Sequence, residues 1–264
     1  MSDAHRRLAR LLQLVEDEPA TIDDSGVAGR LDRICRAAVR ALPADGAGVT
    51  LMDQDSGPVG TIAASGPRFR RLEDLQFTMG EGPCIDAYAG RSPVLEADLA
   101  TSGQHRWPGY ASAAREEGVN AVFAFPIQVG AARLGVLDLY RYEGTPLSRG
   151  SVSDALDLAN ICLSTMLRLG SVTSVDAGGD GRPVDPGDGR SDGRSDGSSD
   201  GLGDPFRLSS EVYQAQGAIT VQLGISLAEA MVRLRAHAYA AGRPISDVAR
   251  DVLTGTIDFT REDL

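Results

Sequence analysis

The stretch VNAVFAFPIQVGAARLGVLDLYRY, residues 119–142, contains two apolar runs separated by a short segment around Gly130. This pattern predicts two strands joined as a hairpin across Gly130 to Ala132. Two earlier segments, GAGVTLMDQ and PVGTIAAS, have the same strand character and are connected by Asp-Ser-Gly at residues 55–57, a combination of turn-forming residues. Together these segments predict a largely antiparallel sheet.

Amphipathic helices are predicted on either side of this sheet. Residues 4–15, 26–42 and 150–169 each repeat apolar side chains at helical spacing. WPGYASAAREEG, residues 107–118, predicts a shorter helix, and SPVLEADL predicts one more strand. Helices at both ends of an antiparallel sheet predict an α+β domain for residues 1–170.

Residues 171–205 differ sharply in composition from the rest of the chain. They consist mainly of Gly, Asp, Ser, Pro and Arg, include DGRSDGRSDGSSDG, and carry eight Asp against three Arg. A segment with so few large apolar side chains cannot offset the entropy lost on ordering. We expect a disordered, solvated linker.

Residues 206–264 predict a small all-α bundle of three helices. Gly224 and Gly242 are expected to end the first two helices, and Ser226 with Glu229 forms a capping box for the second. Ser246 is expected to cap the third. The predicted apolar stripes contain Leu208, Val212, Ala215, Ile219, Leu223, Leu227, Ala230, Met231, Leu234, Ala238, Val248, Ala249, Val252 and Leu253. So small a bundle buries only a modest core, so we expect support from another domain or from a second copy in a homodimer.

Composition narrows the function classes. A formal net charge of -11 argues against a protein that coats nucleic acid or anionic lipid along its whole length. Cys35, Cys84 and Cys162 are far apart without a CxxC pair, which favours a reducing compartment. The N-terminus lacks a signal-peptide core, and no apolar run approaches the ~18 residues of a membrane span. We therefore expect a cytoplasmic protein without membrane contact.

Residues 20–169 resemble a GAF domain of the kind common in actinobacterial regulators. The segments GEGPCIDAYAGRSPVLEADL, RWPGYASAAREEGVNAVFAFPI and GVLDLYRYEGTPLS carry this resemblance. It implies a sensor domain, with an unidentified small-molecule ligand or a structural, dimerising role. The chain has no Lys for the cyclic-nucleotide signature of some GAF domains, and His105 on a loop is the only nearby candidate for a haem ligand. No cofactor is expected.

The segment AQGAITVQLGISLAEAMVRLRAHAYAAGRPISDVARDVL, residues 215–253, resembles an ANTAR module. This three-helix family is the RNA-binding output of regulators that act by transcription antitermination. The resemblance implies that paired stem-loops in nascent RNA are the partner. The family often has Lys in its AKG motif, where this chain has Gln216, and the change removes one expected phosphate contact.

The candidate RNA-binding residues are Gln216, Arg235, Tyr239, Arg243 and Arg250. Arg235 and Tyr239 are four residues apart and hence neighbours on one helix flank. Arg235 suits a phosphate, and Tyr239 suits stacking on an unpaired base. The alternative is that both cover the edge of the bundle, with the Arg stem lying on apolar surface.

Cys84 is the candidate sensor residue of the first domain. Pro83 suits the first position of a helix, and the positive end of that helix would lower the pKa of the adjacent thiol. The alternative is a buried, inert thiol. No phosphate-binding loop, GxSxG motif or catalytic pair is present, and His237 has no second metal ligand nearby. We expect neither an enzyme nor a metal site.

These observations predict a regulator with a GAF sensor domain at residues 1–170, a linker at 171–205 and an ANTAR domain at 206–264. The sensor would control RNA binding and thereby antitermination. The alternative is a protein-interaction adaptor whose C-terminal bundle no longer binds RNA.

Overall fold

The computed structural model describes residues 3–20, 26–53, 57–173 and 205–260. The predicted linker lies outside these ranges except at its two ends. The helices are α1 (Asp3–Glu16), α2 (Gly26–Ala41), α3 (Pro67–Met79), α4 (Pro83–Gly90), α5 (Gln104–Arg106), α6 (Pro108–Glu116), α7 (Arg149–Thr173), α8 (Pro205–Leu223), α9 (Leu227–Ala240) and α10 (Ile245–Leu253). The strands are β1 (Gly46–Asp53), β2 (Gly57–Ala64), β3 (Val94–Glu96), β4 (Ala121–Val129) and β5 (Ala132–Arg141).

The strands form one antiparallel sheet in the order β2-β1-β5-β4-β3. β4 and β5 pair from Ala121 opposite Arg141 to Val129 opposite Ala132, which confirms the predicted hairpin. Gly130 in the connecting turn has a φ of 57°, in the left-handed region that favours glycine. Because β5 also pairs with β1, the hairpin supplies the centre of the sheet.

The two faces of the sheet are covered by different helices, because alternate strand residues point to opposite sides. One face packs against α1, α2 and α7 through Phe123, Phe125, Leu137 and Leu139. The other packs against α3, α4 and α6 through Val122, Ala124, Val136 and Tyr140. The predicted α+β fold is confirmed.

No helix was predicted for residues 67–79, where the structure has α3. Pro67 lies in its first turn, where a missing amide hydrogen costs little, and Gly80 ends it with a φ of 69°. Glu73 and Gln76 are buried polar residues of this helix and interrupt its apolar spacing. α3 contacts both β1 and α9, so it joins the sheet domain to the C-terminal bundle.

Helices α8, α9 and α10 form the predicted bundle. Gly224 and Gly242 have φ values of 65° and 61°, and Ser226 Oγ accepts a hydrogen bond from the Glu229 amide at 3.2 Å, as predicted for helix ends and a cap. The expected Ser246 cap is wrong, because α10 already begins at Ile245 after Pro244. Two residues of the predicted stripes are also exposed, Leu227 at 57% and Leu253 at 40%.

Among the described residues, no single helix is long and apolar enough to cross a membrane. The segments Glu211–Leu223 and Leu227–Ala240 reach the necessary length and composition only as a pair, with a bend of 108° between them.

The contact between β1 and β5 depends on Gly135. A Cβ added there would lie 2.3 Å from the backbone oxygen of Thr50, so Gly135→Ala must push the two central strands apart. We expect the free energy of unfolding to fall by about 1–3 kcal/mol, the usual cost of overpacking. Gly150→Ala is the matched control, since its nearest neighbour is an ordinary 3.7 Å away, and it should change stability by less than about 0.5 kcal/mol. Urea denaturation followed by Trp107 fluorescence measures both; equal stabilities would contradict this packing.

Candidate functional site

Three of the predicted RNA-binding residues lie on the side of the bundle that faces α3. Tyr239 and Arg243 line a cavity of about 310 Å³ with residues of α3. Tyr239 and Arg235 line a second cavity of about 410 Å³, which shares Thr78 and Met79 with the first. We call these two adjoining cavities the interdomain groove. Tyr239 lines both cavities and is 63% exposed, so its ring is available for stacking.

Arg235 lies at the contact between the two domains. Its Cζ is 5.9 Å from the centre of the Phe77 ring, and a Cβ added to Gly80 would lie 2.7 Å from its Nη1. Its Nε is buried, and among the described residues neither a hydrogen-bond acceptor nor a carboxylate pairs with this side chain. Burial lowers the pKa of the Arg235 guanidinium. A cation is therefore partly removed from water without a carboxylate partner among the described residues, which is unfavourable.

The other two basic residues are engaged in ion pairs. Arg243 Nη2 is 2.7 Å from Asp251 Oδ2, and Arg250 Nη2 is 3.3 Å from Glu211 Oε2. Arg250 lies against α8 and does not line the interdomain groove. Exposed ion pairs of this kind contribute little stability, so a phosphate group can replace the carboxylate at low cost.

The Gln216 side chain connects α8 with the start of α9. Its Nε2 donates a hydrogen bond of 2.7 Å to the backbone oxygen of Leu227, across the turn between α8 and α9. The side-chain amide is thus already used within the bundle. Its predicted contact with RNA stays a prediction.

Phe77 docks α3 onto the bundle. It is 8% exposed and packs into the same hydrophobic core as Val212, Leu234 and Val248. A second contact is the hydrogen bond of 3.2 Å from the Tyr213 hydroxyl to the backbone oxygen of Pro58. The expectation that the bundle leans on another domain is met by this contact. The docking role of Phe77 was not predicted from sequence, because the helix that contains it, α3, was not predicted.

A polar cluster occupies the core between α3 and the sheet. Glu73 accepts hydrogen bonds from Thr50 Oγ1 at 2.7 Å and from the Tyr140 hydroxyl at 2.8 Å. Gln76 Nε2 donates to Asp138 Oδ2 at 2.6 Å. Burial raises the pKa of Glu73 to about 7. Burial and the nearby charge of Glu73 raise the pKa of Asp138 well above its ordinary value.

None of these core residues was predicted from sequence, although buried carboxylates mark functional sites in many proteins. The only available signal was Asp138, a charged residue in the middle of the apolar run GVLDLY.

Cys84 lies beside this cluster, and the structure favours the alternative of a buried thiol over that of a thiol with a lowered pKa. The residue is 1% exposed, at the second position of α4. Burial raises the pKa of its thiol well above the ordinary value, and Asp138, Glu73 and Asp86 raise it further. Desolvation and neighbouring negative charge therefore outweigh the positive end of a short helix.

Fold and site together define a two-domain protein, with an α+β domain docked onto a helical bundle. Residues 25–153 match the family model of the GAF domain, and residues 209–253 match that of the ANTAR domain. The chain is thus a GAF and ANTAR domain protein. No curated protein matches it significantly.

Solved structures similar to this chain cover its first domain. The GAF domain from a phosphoenolpyruvate-protein phosphotransferase of Coxiella burnetii is 19% identical, with 66% of this chain and 99% of that chain covered and a TM-score of 0.48. The corresponding Acinetobacter domain is 15% identical, with the same coverage and TM-score. Free methionine-R-sulfoxide reductase from Neisseria meningitidis is 19% identical. The match covers 65% of this chain and 95% of that chain, with a TM-score of 0.44.

Removing the Phe77 ring should release the bundle from α3. Truncation of a buried Phe to Ala costs about 3–5 kcal/mol, and here the loss falls on the contact between domains. We expect Phe77→Ala to enlarge the radius of gyration in small-angle X-ray scattering of the full chain. Phe77→Leu, which keeps an apolar side chain, is the control and should scatter like the native protein. An unchanged profile for Phe77→Ala would show that docking does not depend on this residue.

Proposed function

We propose that this protein is a signal-responsive regulator of transcription that binds paired stem-loops in nascent RNA and promotes antitermination. The combination of a GAF domain with an ANTAR domain fits a signal-controlled RNA-binding regulator in general. Both are regulatory domains, and we assign the protein no catalytic role. Since its proposed partner is a transcript during synthesis, we propose that the protein acts in the cytoplasm.

One observation carries the proposal: a cation that has no carboxylate partner in the described part of the chain and an exposed aromatic ring lie on the same face of α9. Arg235 supplies the cation and Tyr239 the ring. Recognition of RNA loops combines phosphate contacts with stacking of unpaired bases on aromatic side chains. Arg243 extends this face once RNA displaces its surface ion pair with Asp251.

Control by the first domain follows from where α3 docks. Phe77 and Gly80 contact Arg235 and its Nε is buried, so docking leaves only part of this guanidinium open to an RNA phosphate. RNA and α3 therefore compete for the same face of α9. Any signal that weakens the docking of α3 increases RNA binding by the same free energy.

Binding of two stem-loops at once is best served by two bundles, and we propose a homodimer. Leu8 and Leu12 of α1 and Leu156 of α7 are 38%, 38% and 39% exposed. α1 and α7 are in contact, so these side chains give the first domain an apolar surface away from α3. A dimer through this surface would leave both interdomain grooves accessible.

The second candidate is a protein-interaction adaptor. The observation that favours it is the engagement of Gln216 with the Leu227 backbone and of Arg250 with Glu211 and Asp247. A bundle whose polar groups are satisfied internally offers fewer contacts to RNA. In that case the interdomain groove would bind a protein segment.

RNA binding tests the first proposal directly. A fluorescent RNA with two short hairpins is titrated with the full chain, and we expect Arg235→Ala to weaken binding by about tenfold, or ~1.4 kcal/mol. Arg233→Ala is the matched control, because Arg233 lies on the same helix but pairs with Glu229 at 3.8 Å, and it should change affinity less than about threefold.

The dependence of affinity on salt adds a second readout. Loss of one phosphate contact in Arg235→Ala should reduce the slope of log affinity against log salt by about one charge. Equal effects of the two substitutions, or no binding by the native chain and by Phe77→Ala, would favour the adaptor instead.

A further inference from the structure

Three acidic side chains converge in the polar core of the GAF domain. Oxygens of Glu73 and Asp138 and the sulfur of Cys84 all lie within 4.8 Å of one another, and all three residues are buried. No basic side chain of the described residues forms an ion pair with them, and the charge of Glu73 raises the pKa of both Asp138 and Cys84. Two carboxyl groups and a thiol in a site of low dielectric call for a proton or a metal cation to neutralise them.

A second observation indicates a ligand at the same point. Asp138 Oδ1 and the Tyr110 hydroxyl are buried, and neither makes a hydrogen bond of ordinary geometry among the described residues, although Tyr140 interacts with Tyr110 and Glu73 with Asp138. Both residues are 0% exposed. After burial itself, the charges of Asp138, Glu73 and Cys84 raise the pKa of Tyr110, so its hydroxyl lies beside the cluster. Buried polar atoms are normally satisfied, and one shared ligand would satisfy both.

We propose that Glu73, Cys84 and Asp138 bind one divalent first-row transition metal ion, Fe²⁺ or Zn²⁺, in the core of the GAF domain. A mixed set of thiolate and carboxylate ligands suits these ions better than Mg²⁺ or Ca²⁺, which prefer oxygen alone. Three protein ligands leave one coordination position for a water molecule or a small signal molecule.

Surrounding residues already orient the ligands through hydrogen bonds, as the neighbours of metal ligands generally do. Gln76 holds two of them: its Nε2 donates to Asp138 Oδ2 at 2.6 Å, and its Oε1 accepts from the Cys84 amide at 2.8 Å. Thr50 and Tyr140 hold the two oxygens of Glu73. Asp138 Oδ1 is left free to coordinate the metal.

A metal ion that binds at this site takes the place of protons on the ligand side chains. As the metal–sulfur bond forms, the S–H bond of Cys84 breaks and its proton passes to solvent, together with the acidic proton held by the two carboxyl groups. The metal ion keeps its oxidation state, so no oxidant or reductant is required.

The segment between α3 and α4, residues 80–82, connects the proposed metal site with Arg235. This connection rests on the proposed function. A Cβ on Gly82 would lie 2.4 Å from Gln76 Oε1, while Gly80 packs against Arg235. Between them, Glu81 accepts hydrogen bonds from the amides of Gly109 and Tyr110 at 2.7 and 2.9 Å. A shift of Gln76 or Tyr110 on metal binding therefore displaces the turn that covers Arg235.

Titration of the metal-free full chain with Co²⁺ tests the site without RNA. Co²⁺ bound to a thiolate gives a charge-transfer absorption in the near ultraviolet, and we expect it to saturate at one equivalent and to disappear on addition of Zn²⁺. Cys84→Ser should abolish this band, and Gln76→Ala should weaken metal binding by about 10- to 100-fold. Cys162→Ser is the control, because Cys162 is equally buried but lies outside the cluster.

Absence of a stoichiometric thiolate band in the native chain would overturn the proposal, as would an equal band in native protein and Cys84→Ser. Asp138→Asn provides a second variant if Cys84→Ser does not fold, which Trp107 fluorescence reports. Loss of the band in either variant, with retention in Cys162→Ser, supports the site. Because no RNA is present, failure of this assay is separate from failure of the antitermination proposal.

Discussion

Phe77 packs into the hydrophobic core of a domain other than its own, and the arrangement of the whole chain depends on that contact. The same helix presents Glu73 and Gln76 to the sheet and Phe77 to the bundle. One side of α3 thus packs against the sheet in the GAF core, and the other side is the docking surface for the ANTAR bundle. A change on its inner face can reach its outer face without passing through the linker.

The charge of Arg235 makes this contact suitable for regulation. Docking partly desolvates the guanidinium. Among the described residues, the guanidinium then contacts an aromatic ring but no carboxylate. The hydrophobic gain from Phe77 is therefore opposed by an uncompensated charge. In the proposed function, an RNA phosphate reverses that balance by pairing with Arg235, and it does so more readily once α3 has moved away. Competition between RNA and α3 for one surface would by itself couple the two domains.

The features predicted correctly from sequence are those set by local chemistry. The β4–β5 hairpin follows from two apolar runs around Gly130, and the bundle follows from helical spacing, Gly224, Gly242 and the Ser226 cap. These signals act over a few residues and do not depend on the rest of the fold.

What sequence reasoning missed depends on contacts between distant segments. α3 has buried polar residues where an amphipathic helix would have apolar ones, because Asp138 and Tyr140 from β5 satisfy them. Of the two interpretations of Cys84, the buried thiol fits the structure and the lowered pKa does not, since the two carboxyl groups beside it come from elsewhere in the chain. Arg235 and Tyr239 were identified as neighbours on α9, but nothing in their spacing indicates that α3 covers one of them.

Hydrogen–deuterium exchange of the full chain, with and without a two-hairpin RNA, tests the competition between RNA and α3 most directly. The account predicts slower exchange in α9 on RNA binding and, at the same time, faster exchange in the second half of α3 around Phe77, since that helix loses its partner. Protection of α9 without any change in α3 would contradict it, because RNA would then bind a bundle that remains docked.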